Sequence, residues 1–375
     1  MKWVRLGDIV KIIKGKKVEE STNESEKLIR YIQIEDLRND DNLKYTEDSK
    51  AIIVNEEHIL IAWDGANAGT IGFNLEGAIG STISALEINE LYKNNFSSEF
   101  LGYYLRSKNY YLRATTTGAT IPHISRPALL KLKIPIISIK NQQKIVDALK
   151  KLEELMSRRK KQIQAYDDLN ESLFFEMFNH LEVKETSLKK YINFSKNSVS
   201  DFSDYLDENY IGVENIEKET GRILKLEKVS DSNIKSSKNY FTRDDVLYSR
   251  IRPNLNKVAL PDFDGLVSSE VFVINCGSEI NKFFLTYTLR SKKFVTYAML
   301  NSSGANFPRV NKKTIESYKI KVPPIELQNK FADYVIKIEE EKKKLNSSLK
   351  ELEDLFDALM QDAFSGNLFK DWEGR

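Results

Sequence analysis

FLGYYLRSK at Phe100–Lys108 returns as FLTYTLRSK at Phe284–Lys292, with seven of nine positions identical. The offset is 284 − 100 = 184 residues. Further matches follow in the same order. YIQIEDL at Tyr31–Leu37 pairs with YIGVENI at Tyr210–Ile216, and Ile59–Gly72 pairs more weakly with Val246–Ala259, keeping Leu60 against Leu247 and Asn67 against Asn254. TTTGATIPHIS at Thr115–Ser125 pairs with LNSSGANFPRVN at Leu300–Asn311, aligning Gly118 with Gly304 and Pro122 with Pro308. Gln142 aligns with Gln328. Five collinear matches with a slowly drifting offset describe one unit used twice, with insertions and deletions in its loops. A unit of roughly 180 residues is a duplicated domain rather than a solenoid repeat.

Each unit opens with short β-like runs, in the first copy Leu28–Ile34, Ala51–Val54, Ile59–Ala62, Ile83–Ile88 and Leu130–Ile136. Turn-forming stretches at Asn39–Asn42, Gly65–Gly72 and Gly118 separate them. A helix is expected over Ser97–Ala114 and another over Asn281–Leu300. Each unit closes with a long stretch that suits a helix. Residues 141–179 contain no Gly or Pro, and apolar residues recur at Ile145, Leu149, Leu152, Met156, Ile163, Tyr166 and Leu173. In the second copy they recur at Phe331, Val335, Ile338, Leu345, Leu349, Leu352, Phe356 and Leu359. Steps of four and three make a heptad seam, interrupted by polar Arg159 and Lys342. Pro135 precedes one helix and Pro323–Pro324 the other, and Gly366 reads as the stop of the second.

Neither helix can bury its seam alone, so the two are expected to pack on each other, antiparallel if the units obey a pseudo-two-fold. The fold class is then α+β: two similar mixed domains, residues 1–140 and 181–326, separated by helices over 141–180 and 327–375 packed as an antiparallel coiled coil. A helix over 141–179 is about 58 Å long at 1.5 Å per residue. Two diverged readers on such a spacer suit two half-sites on an extended polymer; half-sites one turn of B-DNA apart lie about 34–36 Å from each other.

Composition narrows the class. Apolar residues at 41% and charged residues at 30% fit a soluble protein with a substantial core, and no run of 18 apolar residues suggests a membrane span. Asp8 interrupts the short apolar stretch at the N-terminus, so no signal peptide is expected, and the expected location is the cytoplasm. The lone Cys276 excludes an internal disulfide and a thiolate zinc cluster. The net charge of +2 does not announce a nucleic-acid binder, so any positive field must be local. No P-loop and no Asn-Pro-Pro-Tyr type methyltransferase motif occurs. His58, His123 and His180 lack ligand spacing, and Asp262, Asp264 and Glu270 lack the lysine of a nuclease-like cluster. No catalytic residue, metal site or cofactor of the chain's own is expected.

In this order, the Leu6–Ile9 start, the GATIPHIS segment, SRIRP at Ser249–Pro253 and the Gln-led helices resemble the specificity subunit of type I restriction-modification systems. The resemblance covers nearly the whole chain. It implies two target recognition domains, each reading half of a split double-stranded DNA sequence. It also implies helices that dock two methyltransferase subunits, with restriction subunits joining them. S-adenosylmethionine, ATP and Mg would sit on those partners. The rival reading is a coiled-coil scaffold that holds proteins and reads no DNA.

Arginine suits guanine, and asparagine or glutamine suits adenine, in the major groove. Candidate readers in the second domain are Arg250, Arg252, Asn254 and Lys257, with Ser303, Asn306, Arg309 and Lys312 in its later loop. Asp244 or Asp245 would be the ion-pair partners of those arginines if they were structural. The first-domain counterparts are Asp64 and Asn67 in WDGANAG, then Thr116, Thr117, Gly118, Thr120, His123, Ser125 and Arg126. Arg106, Lys108, Arg290, Lys292 and Lys293 suit either phosphates or the helix dipole, and Glu35 and Asp36 suit a partner surface. The loops differ in residue type while the scaffold matches, which predicts an asymmetric target.

Overall fold

The computed structural model describes residues 2–21, 28–39, 42–118, 120–304 and 306–365. The chain divides into two compact units. One holds residues up to Arg159 together with those from Ser348 onward, and the other is Lys160–Ser347. Each long helix therefore gives half its length to each unit. The expected stop at Gly366 and part of the Asn39–Asn42 turn lie outside the described residues.

In the first unit Lys2–Arg5 pairs antiparallel with Lys133–Ile136. An antiparallel sheet runs Val10–Lys14, Ile83–Ile88, Ile59–Ala62, Ile71–Gly72. A mixed sheet runs Tyr45–Thr46, Ile29–Ile32, Gly77–Ile79, Ile52–Val54, with the central pair parallel. The second unit repeats this order: Glu185–Ser187 with Lys319–Lys321, then Ile192–Phe194, Val271–Cys276, Val246–Ser249, Val258–Ala259. Its mixed sheet runs Ser198–Val199, Lys238–Phe241, Gly265–Val267, Asn209–Ile211, Glu227–Lys228, gaining one edge strand.

Strand Ile59–Ala62 is apolar throughout because both of its faces are covered. Ile59 and Ile61 join the helical core, while Leu60 and Ala62 join the core shared with the mixed sheet. Its counterpart divides alike, with Val246 and Tyr248 on one side and Leu247 on the other. Period-two side-chain alternation sends successive residues to two separate cores.

The expected helix Ser97–Ala114 is two helices, Ser98–Ser107 and Asn109–Ala114, and Asn281–Leu300 likewise divides into Lys282–Arg290 and Lys292–Leu300. The break in the second copy follows from Ser291, whose extended backbone and Oγ, accepting from the Phe294 N–H at 3.2 Å, restart the helix. The last run of the first copy is also divided, into helix Arg126–Leu130 and strand Lys133–Ile136.

The long helices are Ile139–Phe178 and Ile325–Ser365. In the first unit the start of one and the end of the other share a core: Ile145, Val146 and Leu149 with Met360, Ala363 and Phe364. Phe364 lies 5.3 Å from the Phe100 ring and 5.5 Å from that of Tyr104, inside the repeated helix. In the second unit Phe174 and Phe178 meet Phe331 at 5.5 and 5.4 Å. There Asp167 accepts from Lys342 at 2.5 Å and Asn170 donates to Glu339 at 3.4 Å, a descending register that makes the pairing antiparallel. Lys342, expected to interrupt the seam, is buried in it, and Asp167 and Glu339 hold its ammonium. Among the described residues no helix is long and apolar enough to cross a membrane.

Gln142 and Gln328 are fully buried where helix meets domain. Gln142 Nε2 donates to the carbonyls of Asn95 (2.6 Å) and Ile137 (3.0 Å), and its Oε1 accepts the Ser97 N–H at 3.0 Å. Gln328 repeats the pattern on Glu279 (3.1 Å), Pro323 (2.8 Å) and Asn281 (2.8 Å). Ser97 and Asn281 are the N-caps of the repeated helices, so each glutamine ties the domain helix to the long helix. Gln142→Leu or Gln328→Leu strands three backbone groups and should cost about 3 kcal/mol, read as a lower urea midpoint. The exposed neighbour Gln143→Leu should stay within about 0.5 kcal/mol.

Cys276 ends strand Val271–Cys276 and packs against the second helical core. Burial pushes its thiol up to about 12. Iodoacetamide at pH 8 should leave it almost unmodified in the folded chain and label it readily in denaturant, because only the thiolate attacks. Rapid labelling of the native chain would contradict that burial.

Candidate nucleic-acid interface

Two loops meet in each domain, and their backbones are zipped together by the same hydrogen bonds. In the first domain the Gly65 N–H donates to Pro122 O at 2.9 Å and the Ile124 N–H donates to Trp63 O at 2.9 Å. In the second, the Arg252 N–H donates to Pro308 O at 2.8 Å and the Val310 N–H donates to Arg250 O at 2.8 Å. The later loop closes on itself in both copies. Thr117 and His123 exchange N–H···O bonds at 2.9 and 2.7 Å, and Ser303 and Arg309 exchange them at 3.0 and 2.8 Å. Gly118 and Gly304 make that turn at φ +96° and +97°, a region that disfavours side chains. Position 65 is left-handed as a glycine (φ +95°), and its counterpart Arg252 is also left-handed (φ +48°).

On this shared frame the side chains differ. In the first domain His123 Nδ1 lies 2.6 Å from Asp64 Oδ1. Asn67 accepts at Oδ1 from Arg38 Nη2 at 2.6 Å, and Arg38 also reaches Thr70 Oγ1 at 3.3 Å. In the second domain Glu270 gathers Arg250 Nε at 3.0 Å and Arg309 Nη2 at 3.5 Å. Arg252 is exposed and its guanidinium lies 4.9 Å over the Phe307 ring. The arginine partner is thus Glu270, not the acids at 244 and 245. Asp244 pairs with Lys282, and Asp245 accepts from Thr242 and Asn275.

The geometry assembles Asp64, Thr117, Gly118 and His123 in one platform and Arg250, Arg252, Ser303 and Arg309 in the other. Thr120, Arg126, Asn254 and Asn306 are exposed on the same loops or just beyond them. Thr116 Oγ1 donates to the Arg113 carbonyl at 2.9 Å, and Ser125 caps helix Arg126–Leu130 through Ala128 N–H. Lys257 Nζ donates to the Val213 carbonyl at 2.8 Å, and burial holds its pKa below the usual lysine range. Lys312 turns its ammonium toward the rings of Phe194 (5.2 Å) and Phe272 (5.8 Å).

Three groups face elsewhere than expected. Arg106 pairs with Glu153 of the long helix at 2.9 Å and covers the Phe73 ring at 4.3 Å. Arg290 donates to Val258 O from both Nε and Nη2, and burial lowers its pKa. Arg106 thus joins its helix to the long helix, and Arg290 joins its helix to strand Val258–Ala259. Asp36 is buried, accepting the Gln33 N–H at 2.6 Å, and so is no partner surface. Sequence reasoning passed over Arg38, which directly follows the repeated YIQIEDL. The only available signal was a departure from the repeat, since the second copy has Glu217 there (38 + 179 = 217). It also passed over Glu270 as a hub.

A profile for the type I restriction modification DNA specificity domain matches residues 1–165 and again 176–365. The chain belongs to this family. The MjaVIII type I restriction enzyme specificity subunit of Methanocaldococcus jannaschii is 33% identical over 190 residues, half of this chain and 44% of that relative. The EcoDI specificity subunit of Escherichia coli is 27% identical over 173 residues, 45% of this chain and 38% of that one. The match thus spans less than half the length of either relative. A type I restriction-modification S subunit from M. genitalium has the same fold, with TM-score 0.60, 17% identity, and coverage of 97% of this chain and 96% of that one. A chain from a structure of type I R-M complex assembly aligns with TM-score 0.55 at 17% identity, covering 97% of each. The two profile matches fall on the two copies of the repeat, so each zipped loop pair lies in one specificity domain.

The turn in each specificity domain needs its glycine. A Cβ on Gly304 would lie 2.8 Å from Phe307 O, and one on Gly118 would lie 2.4 Å from Ile121 O. Gly304→Val should strain the loop by about 1–3 kcal/mol. Amide exchange at Ser303 and Arg309 should then quicken while the strand amides of Val271–Cys276 keep their protection. Unchanged exchange at the loop pair would show that the turn does not depend on the glycine.

Proposed function

We propose that this chain is the non-catalytic, sequence-reading subunit of a type I restriction-modification complex, each specificity domain reading one half of a bipartite, asymmetric duplex DNA target. One observation carries the reading: the same set of backbone hydrogen bonds presents different side chains in the two copies, Gly65 against Arg252 and His123 against Arg309. A reader must hold its backbone still and vary its contacting groups, because phosphate contacts position and base contacts specify. Arg250, Arg252 and Arg309 suit guanine in one half-site, while Asn67, His123 and the Thr116, Thr117 and Thr120 hydroxyls make a more neutral platform for the other. Asp64, Ser125, Arg126, Asn254, Lys257, Ser303, Asn306 and Lys312 support these loops or border them. The long helices are the surface on which two methyltransferase subunits dock, with restriction subunits beyond them. S-adenosylmethionine, ATP and Mg belong to those partners.

Single-molecule methylation sequencing of the source DNA, with and without this gene, tests the reading. A split adenine-methylated motif should vanish when the gene is removed, and an unchanged methylation pattern would refute it. Replacing Arg252 with Ala should relax one half of the motif only, losing about 1–3 kcal/mol of discrimination there. Binding to duplex DNA should weaken steeply with salt, which a protein scaffold does not require.

A further inference from the structure

Each zipped loop carries one large apolar residue on its outside, at the same position in both copies. Ile121 is 53% exposed and Phe307 is 60% exposed, and each directly precedes the proline whose carbonyl closes the zipper. The residue type has diverged, isoleucine against phenylalanine, as have its neighbours at Thr120 and Asn306 and at His123 and Arg309. What has persisted is an apolar group on a tight turn. The turn is fixed at one side by the left-handed glycine and at the other by the paired backbone of Thr117–His123 or Ser303–Arg309.

A single exposed apolar residue is ordinary; its recurrence at the same turn position in both copies is what calls for a reason. An exposed phenylalanine gains nothing from water, and the flanking exposed residues Thr117, Thr120 and His123, or Ser303, Asn306 and Arg309, are polar. The surroundings also disfavour an apolar protein partner for Phe307, because the Arg252 guanidinium lies 4.9 Å over its ring. A cation stacked on an aromatic face, at the tip of a loop lined by hydrogen-bond donors, suits a polyanion with flat apolar faces between its charges.

We infer that Ile121 and Phe307 are apolar wedges that enter duplex DNA beside the bases their loops contact, unstacking one base step in each half-site. Minor-groove binders that insert phenylalanine, leucine or isoleucine between base steps kink the duplex by about 20–90°, and a wedge entering from the loops' own groove should unstack its step in the same way. Phe307 unstacks more than Ile121, because a ring replaces base stacking and an aliphatic branch only fills space. Arg252 then follows the ring toward the neighbouring phosphate or guanine. The inference rests on the proposed DNA-reading function, and the test separates the two.

The probe is a duplex carrying the motif found by methylation sequencing, with fluorophores at both ends, bound to the full chain with its partner subunits. Permanganate reports unstacked thymines, and energy transfer between the ends reports bending. The wild-type complex should show at least one reactive thymine and a shortened end-to-end distance. Phe307→Ala should abolish the signal in its half-site, straighten the duplex and weaken binding about tenfold. Phe307→Trp should restore all three, and Ile121→Ser should act on the other half-site. Tight binding with unreactive thymines and an unbent duplex in the wild type would overturn the wedge and leave the DNA-reading function standing. The wedge is equally overturned if Phe307→Ala keeps the wild-type reactivity and bend. Salt-insensitive or absent duplex binding by the wild type would instead overturn the DNA-reading function, and the wedge with it.

Discussion

A buried amide at the root of each long helix sets the direction in which the rest of the chain is built. Gln142 joins three pieces of chain: the end of the strand–helix connection at Ile137, the loop carbonyl at Asn95 and the helix cap at Ser97. Apolar burial around it is stronger in sum but non-directional, and a seam of Ile and Leu can slide by a turn with little loss. Hydrogen bonds to three fixed backbone groups cannot slide, since their geometry degrades within a few tenths of an ångström. Gln328 does the same 186 residues later (328 − 142 = 186). The heptad seam therefore supplies adhesion, the glutamines fix each long helix to its own domain, and in the second unit the Lys342–Asp167 and Asn170–Glu339 contacts fix the register between the helices.

That division of labour recurs in the loops. The bonds that zip Trp63–Gly65 to Pro122–Ile124, and Arg250–Arg252 to Pro308–Val310, run from backbone to backbone. Side chains add to the frame differently in each copy, the Asp64–His123 pair in one and Glu270 with Arg250 and Arg309 in the other, so what the copies share is the backbone bonding. Gly65 and Arg252 show the consequence: the same left-handed residue donates the same hydrogen bond, with no side chain in one domain and a guanidinium in the other. The frame persists where packing and glycine enforce it, and chemistry varies where neither does.

The repeat was legible because scaffold residues are constrained in both copies by the same burial. Strands Ile59–Ala62 and Ile83–Ile88 have the bounds their apolar runs suggest, and the long helices begin two residues before their expected starts at 141 and 327. The break near Lys108 and Ser291 was not legible, since both halves carry the same apolar period and a serine fits inside a helix as well as before one. Long side chains were the least legible. Arg106 and Arg290 suited phosphate or the helix dipole by sequence, yet they reach Glu153 and the Val258 carbonyl, because a guanidinium can reach a partner several ångströms from its backbone. Arg250 was placed correctly on a loop, but its partner Glu270 lies 20 residues away along the chain. Only the pairing of Val246–Ser249 with Val271–Cys276 brings them together.

Glu270 also explains how a chain of nearly neutral charge can present a sharply local positive surface. One carboxylate serves two guanidiniums, Arg250 and Arg309, and Arg252 stands apart on Phe307, so three cations converge against one anion. In the first domain the matching space holds an Asp64–His123 pair and an Arg38–Asn67 contact, which is closer to balance. The contact to Arg250 uses Nε, which leaves the terminal nitrogens as the edge that suits the O6 and N7 of guanine. On the proposed DNA-reading function, holding that guanidinium in place beforehand lowers the side-chain entropy lost on binding. A surface salt bridge of this kind adds little to folding stability. Its effect is to orient the guanidinium, which is what the proposed base-reading role of Arg250 requires.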